Sequence, residues 1–245
     1  MQVVEDQKDQ AVEAKQGQIK ITVCLSLSGI AEGGAEVYAE FQKQISEMEA
    51  NAALGERKCE MGQVGCRGYC SRDVLVDVYV PGEKRVTYEK VKPAMVKNIL
   101  NDHIVGGKPF KKAASKEDYY TTIEKQTRVA LAHGGSIDPE NINEYIQVGG
   151  YESLKKVLST MKPEEVIAEV KKSGLRGKGG GGFVTANKWE KARNAPTDDK
   201  GTRYIMVNGD EGNPASYMDR SVMEGASHQV LEGLLIGAYA IGATE

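Results

Sequence analysis

The sequence lacks the features that mark membrane, secreted and nucleic-acid-binding proteins. No apolar run approaches the roughly 18 residues of a membrane span. Residues 1–18 are polar and acidic, without the basic start and apolar core of a secretory signal. The formal net charge is -3, from 32 basic and 35 acidic residues, so no basic surplus is available for nucleic acid. We therefore expect a cytoplasmic protein with no direct membrane span and no nucleic-acid partner.

Cysteine and histidine are also scarce, with four and three residues respectively. In a cytoplasmic chain, cysteines are more often free, metal-bound or catalytic than paired in disulfides. His103, His133 and His228 are scattered, without metal-site or catalytic-triad spacing, and are expected to be structural. Hydrophobic residues at 40% and charged residues at 27% are typical of a folded globular protein.

Hydrophobic periodicity predicts an α/β protein with two domains. Residues 1–18 are expected to form a flexible tail, and the order strand, helix, strand, strand, helix over residues 19–107 predicts one small α/β domain. Residues 108–150 are expected to connect it, through short helices, to a second domain over residues 151–245. The second domain ends on an apolar helix, an unusual ending that suggests a fragment of a longer protein.

Within the second domain, two stretches have a clear local pattern. MKPEEVIAEVKKSGLRG, residues 161–177, predicts a helix with proline and glutamates in its first turn and glycine after its end. RYIMVNGDEGNP, residues 203–214, predicts a short apolar strand that enters a polar turn.

A glycine-rich run lies between these two stretches, in SGLRGKGGGGFVTANKW. Glycines allow backbone N–H groups to converge on an anion, because no Cβ blocks the approach. A flexible linker is the alternative, although linkers mix glycine with serine. Here the flanking side chains grip phosphates or stack on rings instead, namely Arg176, Lys178, Phe183, Lys188 and Trp189. A phosphate-binding loop is therefore favoured.

The run matches neither of the two common nucleotide loops. Gly177, Gly179 and Gly182 have the spacing G-x-G-x-x-G, but the dinucleotide fingerprint follows a strand, and the segment before this run is predicted to be helical. The P-loop requires a Gly-Lys pair followed by serine or threonine, which the run lacks.

Three stretches in order resemble the NADH-binding flavoprotein subunit of respiratory complex I and the related diaphorase subunits of NAD-dependent hydrogenases and formate dehydrogenases. They are GLRGKGGGGFVTANKW, YIMVNGDEGNPASYMDRSVMEG and SHQVLEGLLIGAYAIGA, and the similarity spans about residues 140–245. The resemblance implies the first part of a Rossmann-like FMN/NADH-binding domain. It also implies hydride transfer from NADH to FMN, with electrons passing to iron–sulfur subunits of a larger oxidoreductase. A non-catalytic electron-transfer or scaffold module of such a complex is the alternative.

The resemblance also implies roles for residues of the glycine-rich run. Gly177, Lys178 and Gly179 should approach FMN, and Lys188 should lie near the flavin and nucleotide phosphates. Phe183 should stack on the adenine of NADH. Lys178 stands where the family usually has arginine, so a planar two-pronged donor is replaced by a single ammonium.

The second motif implies polar contacts to the flavin. Asn208, Asp210 and Glu211 should form hydrogen bonds on the flavin side. Asn213 stands where complex I has a glutamate near the nicotinamide, which removes a charge beside the hydride path. Taken without its neighbours, NGDEGNP is an ordinary turn sequence.

Near the N-terminus, VGCRGYCSRDVLVDVYVPGEKRVTY resembles the thioredoxin-like [2Fe–2S] ferredoxin domain that is often fused to or partnered with such flavoproteins. Cys66 and Cys70 match one ligand pair of that family, and Cys24 matches its first ligand. The remaining ligand usually lies five residues after the first, where this chain has Gly29, so the pattern is incomplete. Cys59 is a candidate for the missing thiolate.

Three alternatives for these cysteines stay open. The domain could hold a [2Fe–2S] cluster with an irregular fourth ligand, could be degenerate and hold no cluster, or could bind zinc. Cys59 could equally be a small buried residue without a ligand role.

Overall fold

The computed structural model describes residues 17–197, 201–214 and 216–245. Its contacts divide the chain into two compact units. The first unit comprises the chain up to Glu144 together with Glu211–Ser227, and the second comprises Tyr145–Asp210 together with His228–Glu245. Over the described ranges, no helix is both long enough and apolar enough to cross a bilayer.

The secondary structure up to residue 124 is mixed. In chain order it comprises β1 (Ile19–Cys24), α1 (Leu27–Ala31), α2 (Gly34–Ala50), β2 (Cys59–Val64), a 3₁₀ turn (Cys70–Arg72), β3 (Val76–Tyr79), β4 (Val86–Tyr88), α3 (Pro93–Ile99) with a π-helical continuation (Leu100–Val105), and α4 (Glu117–Glu124). Among the described residues after 124, the regular elements are helices: α5 (Ile142–Gln147), α6 (Glu152–Thr160), α7 (Pro163–Ser173), α8 (Thr185–Asn194), α9 (Met218–Gly225) and α10 (Ser227–Ile241).

The sheet of the first unit has the strand order β2-β1-β3-β4. Strands β1 and β2 are parallel, and β3 is antiparallel to both β1 and β4. A parallel pair requires a crossover, which α2 provides, and the β3–β4 hairpin turns at Pro81-Gly82. This strand order is that of a thioredoxin-like domain, and the α/β fold class is confirmed.

Helix α2 packs on this sheet through the residues whose spacing predicted it. Val37, Phe41, Ile45 and Met48 recur every three or four positions and are all buried. They share one hydrophobic core with the inward side chains of β1 and β3. Burial of this apolar stripe explains why the helix and the sheet form together.

Strand β2 was not predicted from the sequence. Its residues, CEMGQV, include a glycine and two polar side chains and are mostly half-buried. The strand lies at an edge of the sheet and pairs only with β1. An edge strand need not show the clean alternation of apolar and polar residues on which the prediction depended.

The second unit is built from helices around a small core of Val157, Val166, Ile167, Ala186 and Ala240, with Trp189 packed against it. Helix α7 begins as predicted, because the Glu165 carboxylate accepts a hydrogen bond from Lys162 N at 2.7 Å. It ends at Gly174, whose φ of 70° is the left-handed conformation typical of a helix C-terminus.

The strand predicted within residues 203–214 is wrong. Tyr204 and Met206 are 61% and 87% exposed, and the segment has no strand assignment. Ile205 N donates to Glu245 O at 3.0 Å, but a ladder requires a neighbouring strand, and the described part of the second unit offers none. The turn that follows is present, since Asn208 Oδ1 accepts from Asp210 N at 2.7 Å.

A buried carboxylate fixes the start of α6, and sequence reasoning did not find it. Glu232 accepts hydrogen bonds from Tyr145 Oη at 2.6 Å, Tyr151 N at 2.9 Å and Leu154 N at 3.0 Å. The negative charge lies at the positive end of the helix dipole. Burial, together with the hydrogen bond to Glu232, raises the pKa of the Tyr145 hydroxyl. Glu232 thus has a structural role.

Candidate functional site

The glycine-rich run forms a loop that is closed at its base and leads into α8. Gly177 N donates to Phe183 O at 2.8 Å, and Thr185 N donates to Leu175 O at 3.0 Å. Arg176 and Val184 form an antiparallel bridge, so the two ends of the loop are held together. The run is therefore a built loop with a defined base, which argues against the linker alternative.

The interior of this loop is open. A Cβ placed on any glycine from Gly179 to Gly182 would meet no described atom within 4 Å. Gly180 and Gly182 have φ of 99° and 58°, values that L side chains rarely adopt. Glycine is therefore required at these two positions by the backbone, whereas at Gly179 the absence of a side chain leaves space beside the loop.

The loop opens beside the N-terminus of α8, where backbone donors are available. The residue before this helix, Val184, provides no side-chain cap, and no other described side chain caps it. Uncapped N–H groups and the helix dipole attract anions. Lys178 and Lys188 are exposed in the same stretch, and both carry positive charge. The donor set therefore fits a phosphate group.

An exposed aromatic ring adjoins this donor set. Phe183 is 50% exposed, and Lys191 Nζ lies 5.8 Å from the centre of its ring. The exposed face of this ring is open to stacking by a planar ligand. The loop thus combines phosphate-binding donors with a stacking surface, which together fit the phosphate and rings of FMN and of a nucleotide.

The predicted polar contacts are divided between the two units. Asn208 and Asp210 are exposed in the second unit. Glu211 begins the segment of the first unit, and its carboxylate accepts from Arg220 N at 3.0 Å. Hydrogen bonding from the Arg220 backbone lowers the pKa of the Glu211 carboxyl. Glu211 therefore holds the start of α9, a role that the motif did not reveal.

Three of the four cysteines lie at one end of the sheet. Cys24 ends β1, and Cys66 and Cys70 follow β2, with their Sγ atoms 3.7 Å apart. Cys24 Sγ lies 3.3 Å from Ser26 Oγ and 3.8 Å from Gly65 O. Burial raises the pKa of the Cys24 thiol to about 12, and the nearby Asp73 carboxylate adds to this rise. Cys24 is therefore a protonated, hydrogen-bonded core thiol.

Cys59 lies at the other end of the sheet, so its assignment as the missing ligand is corrected. In the β1–β2 pairing Cys59 is opposite Ile19, whereas Cys24 is opposite Val64. Five residues of strand separate the two ends, roughly 16 Å at about 3.3 Å per residue. Cys59 packs against the hydrophobic core instead, and burial raises its pKa to about 11.

The family's remaining ligand position has no room for a cysteine in this chain. A Cβ on Gly29 would lie 2.2 Å from Cys24 O, and backbone atoms cannot yield to such a contact. Across the described residues, no group of three or more cysteine, histidine, aspartate or glutamate side chains is placed to hold a metal ion. The residues present thus do not supply the four thiolates of a [2Fe–2S] cluster.

A buried ion pair anchors the loop that carries Cys66 and Cys70. Arg67 Nη2 lies 2.6 Å from Asp77 Oδ2, and the two residues are 4% and 0% exposed. Thr87 Oγ1 also donates to Asp77 at 2.6 Å, and Arg67 Nη1 donates to Tyr119 Oη at 3.2 Å. Sequence reasoning missed this pair, although an aspartate inside the apolar strand VDVY was a signal that it needed a buried partner.

Helix α9 covers one side of the same loop. A Cβ on Gly65 would lie 2.0 Å from Glu224 O, and one on Gly225 would lie 2.9 Å from Cys66 O. The Ser221 side chain also lies beside the Cys66 thiol. The end of α9 and the cysteine loop therefore touch through their backbones, which only glycine permits at these two positions.

Comparison with known proteins agrees with the motifs of the C-terminal part. Residues 170–245 match the family described as the Nuo51 FMN-binding domain. The NADP-reducing hydrogenase subunit HndC of Solidesulfovibrio fructosivorans is 53% identical over 124 residues, which are 51% of this chain and 24% of that protein. A subunit of the NADH-quinone oxidoreductase of Aquifex aeolicus is 47% identical over 105 residues, 43% of this chain and 24% of the relative. The chain thus spans about a quarter of the length of these relatives.

Solved structures give weaker likenesses. A thioredoxin-like [2Fe–2S] ferredoxin from Aquifex aeolicus matches 41% of this chain and 98% of its own, with 23% identity and a TM-score of 0.35. An NAD⁺-reducing [NiFe]-hydrogenase chain matches 96% of this chain and 37% of its own, with 20% identity and a TM-score of 0.37. Both TM-scores are too low to support a conclusion about this chain. The resemblance inferred from the motifs is confirmed by sequence: residues 170–245 match the Nuo51 FMN-binding domain family.

Proposed function

We propose that this chain is the NADH-oxidising, FMN-binding module of a larger oxidoreductase, acting as an NADH dehydrogenase or diaphorase subunit. The observation that carries the proposal is the open glycine loop at the uncapped N-terminus of α8. FMN, when bound, would accept a hydride from NADH and release single electrons. The chain's own task is to bind and orient the two cofactors, so no side chain has to act as an acid or a base.

The glycine loop would hold the phosphates. Backbone donors of Lys178 and Gly179, and those of the first turn of α8 beyond Thr185, suit phosphate oxygens. The Gly177 and Thr185 N–H groups are not among them, since they already close the base of the loop. Lys178 and Lys188 would add charge-assisted contacts. Phe183, exposed at the end of the loop, would stack on the adenine of NADH, with the Lys191 ammonium near its ring.

The turn after residue 207 would bind the ribityl chain of FMN. The exposed side chains of Asn208 and Asp210 can accept hydrogen bonds from hydroxyl groups. Glu211 would position this turn through its hydrogen bond with the first turn of α9, and would also contact the flavin directly. Asn213 in place of a glutamate leaves the nicotinamide region with less negative charge.

The electrons would leave to iron–sulfur subunits of a multi-subunit complex. Because the described cysteines do not provide four thiolates at one place, no step of this route passes through the first unit. For the first unit, the same observation favours the alternative of a non-catalytic scaffold. In that role the unit would bind neighbouring subunits of the complex.

Replacement of Lys188 by alanine is expected to weaken both FMN and NADH binding by about 10-fold, the effect of losing one charged contact to phosphate. The weakening should shrink as salt is raised, because screening reduces the contribution of an exposed lysine. Fluorescence titration of FMN into the purified chain measures the first effect. Lys172→Ala, which removes an exposed charge from the end of α7, is the matched control and should bind FMN normally. Unchanged binding of both cofactors by the Lys188 variant would count against the assignment.

A further inference from the structure

We propose that Cys66 and Cys70 form a redox-active dithiol that closes reversibly to a disulfide. The two Sγ atoms are 3.7 Å apart, in van der Waals contact, so the bond can form by small side-chain rotations. The peptide between them includes Gly68, with φ of 80° and no described atom within 4 Å of its Cβ position. Arg67 stays held by Asp77, so closure depends on rotation of the two cysteine side chains, with Gly68 as the unhindered residue between them.

The two sulfurs differ in access, which fixes the order of the reaction. Cys70 is exposed, whereas Cys66 is 5% exposed. Cys66 Sγ accepts from Gly68 N at 3.3 Å and is covered by the Ser221 side chain and the end of α9. An incoming oxidant can thus reach Cys70, and Cys66 is the internal partner that resolves the first adduct.

The proposed oxidant is a small-molecule disulfide. The Cys70 thiolate attacks one of its sulfurs, forms a mixed disulfide and releases the first thiol. The Cys66 thiolate then attacks Cys70 Sγ, forms the intramolecular disulfide and releases the second thiol. The two protons lost by the cysteines end on the two released thiols. The chain loses two electrons and the external disulfide gains them.

The other two cysteines are kept out of this chemistry by their positions. Cys24 is buried against Ser26 and the Gly65 carbonyl, and Cys59 lies at the opposite end of the sheet. Because a side chain at position 29 would clash with the Cys24 carbonyl, Cys66 and Cys70 cannot be joined by a fourth cysteine ligand there. The two thiols are in contact, one sulfur is open to solvent, and no complete cluster ligand set surrounds them. The chemistry that remains for the pair is two-electron oxidation to a disulfide. This inference does not depend on FMN binding.

The test uses the whole chain, purified anaerobically and then equilibrated with oxidised glutathione. We expect two of the four thiols to be lost to thiol titration, with peptide mass mapping showing a Cys66–Cys70 bond that dithiothreitol reverses. Cys66→Ser should instead trap a stable glutathione adduct on Cys70. Cys70→Ser should leave Cys66 unmodified in the folded chain.

Cys59→Ser is the matched control and should oxidise like the original chain. Recovery of iron and acid-labile sulfide that depend on both Cys66 and Cys70 would overturn the proposal, because the pair would then be a cluster ligand set. Retention of all four thiols in excess oxidised glutathione would overturn it as well.

Discussion

Replacing Arg67 with methionine should lower the free energy of unfolding of the first unit by about 3–5 kcal/mol, the usual cost of leaving a buried charge without its partner. Methionine keeps most of the volume and removes the guanidinium. Asp77, which is fully buried, would then keep its Thr87 hydrogen bond and the influence of the Arg85 charge but would lose its direct ion pair. Urea unfolding followed by circular dichroism measures the change.

Two comparisons separate this effect from a general loss of charge. Arg72→Met in the same loop breaks an ion pair with Glu89 in which the arginine side chain is 39% exposed, and should lower the stability far less than Arg67→Met. Arg67→Met combined with Asp77→Leu should recover part of the loss, because the buried carboxylate is gone, although Arg85 then loses Asp77 as its main charge partner. Equal stability of Arg67→Met and the original chain would contradict the assigned role.

Lowering the pH should cause part of the same loss in the free energy of unfolding of the first unit. The Arg67 and Arg85 charges and the hydrogen bonds to Asp77 outweigh its burial and hold the pKa of this carboxyl below its usual range. Its contribution is therefore complete above about pH 4, the pKa of an unfolded aspartate, and is lost as the pH falls through the lower folded value. Arg67→Met should reduce this part of the acid dependence, because the Arg85 charge and the Thr87 hydrogen bond remain.

Replacing Gly179 with valine should weaken FMN binding by at least about 100-fold while leaving the fold intact. Gly179 does not adopt a left-handed φ, and a Cβ there would meet no described atom within 4 Å, so the protein can accept the side chain. A bound flavin cannot, because the branched side chain would fill the space that the loop leaves for it. Fluorescence titration gives the affinity, and thermal unfolding reports the fold.

Gly181→Ala is the matched control for this loop. Its Cβ also meets no described atom within 4 Å, it adds one small group, and it is outside the set expected to approach FMN. Its FMN affinity should stay within about threefold of the original. If Gly179→Val bound FMN equally well, the flavin would not lie along this loop.

The parts of the fold that the sequence predicted depend on local patterns. Helix α2 was predictable because Val37, Phe41 and Ile45 repeat at helical spacing, and the end of α7 because Gly174 follows its lysines. The run at 203–207 has the composition of a strand, yet a strand exists only where another backbone lies beside it.

The geometry of the sites depends on register and packing, which a single sequence does not reveal. Cys59 is close to Cys66 in sequence, but the parallel pairing of β1 and β2 places it at the far end from Cys24. The contact between Gly65 and Glu224 joins residues far apart in the chain. The glycine loop was found because its signal, consecutive glycines flanked by lysines and an aromatic ring, is local.

The most direct test of the proposed function is a titration of FMN into the purified 245-residue chain, followed by quenching of flavin fluorescence. We expect saturable binding of one FMN per chain that weakens in Gly179→Val and in Lys188→Ala and persists in Gly181→Ala. Absence of saturable binding, or binding that none of these substitutions changes, would contradict the claim that the glycine loop is a flavin site.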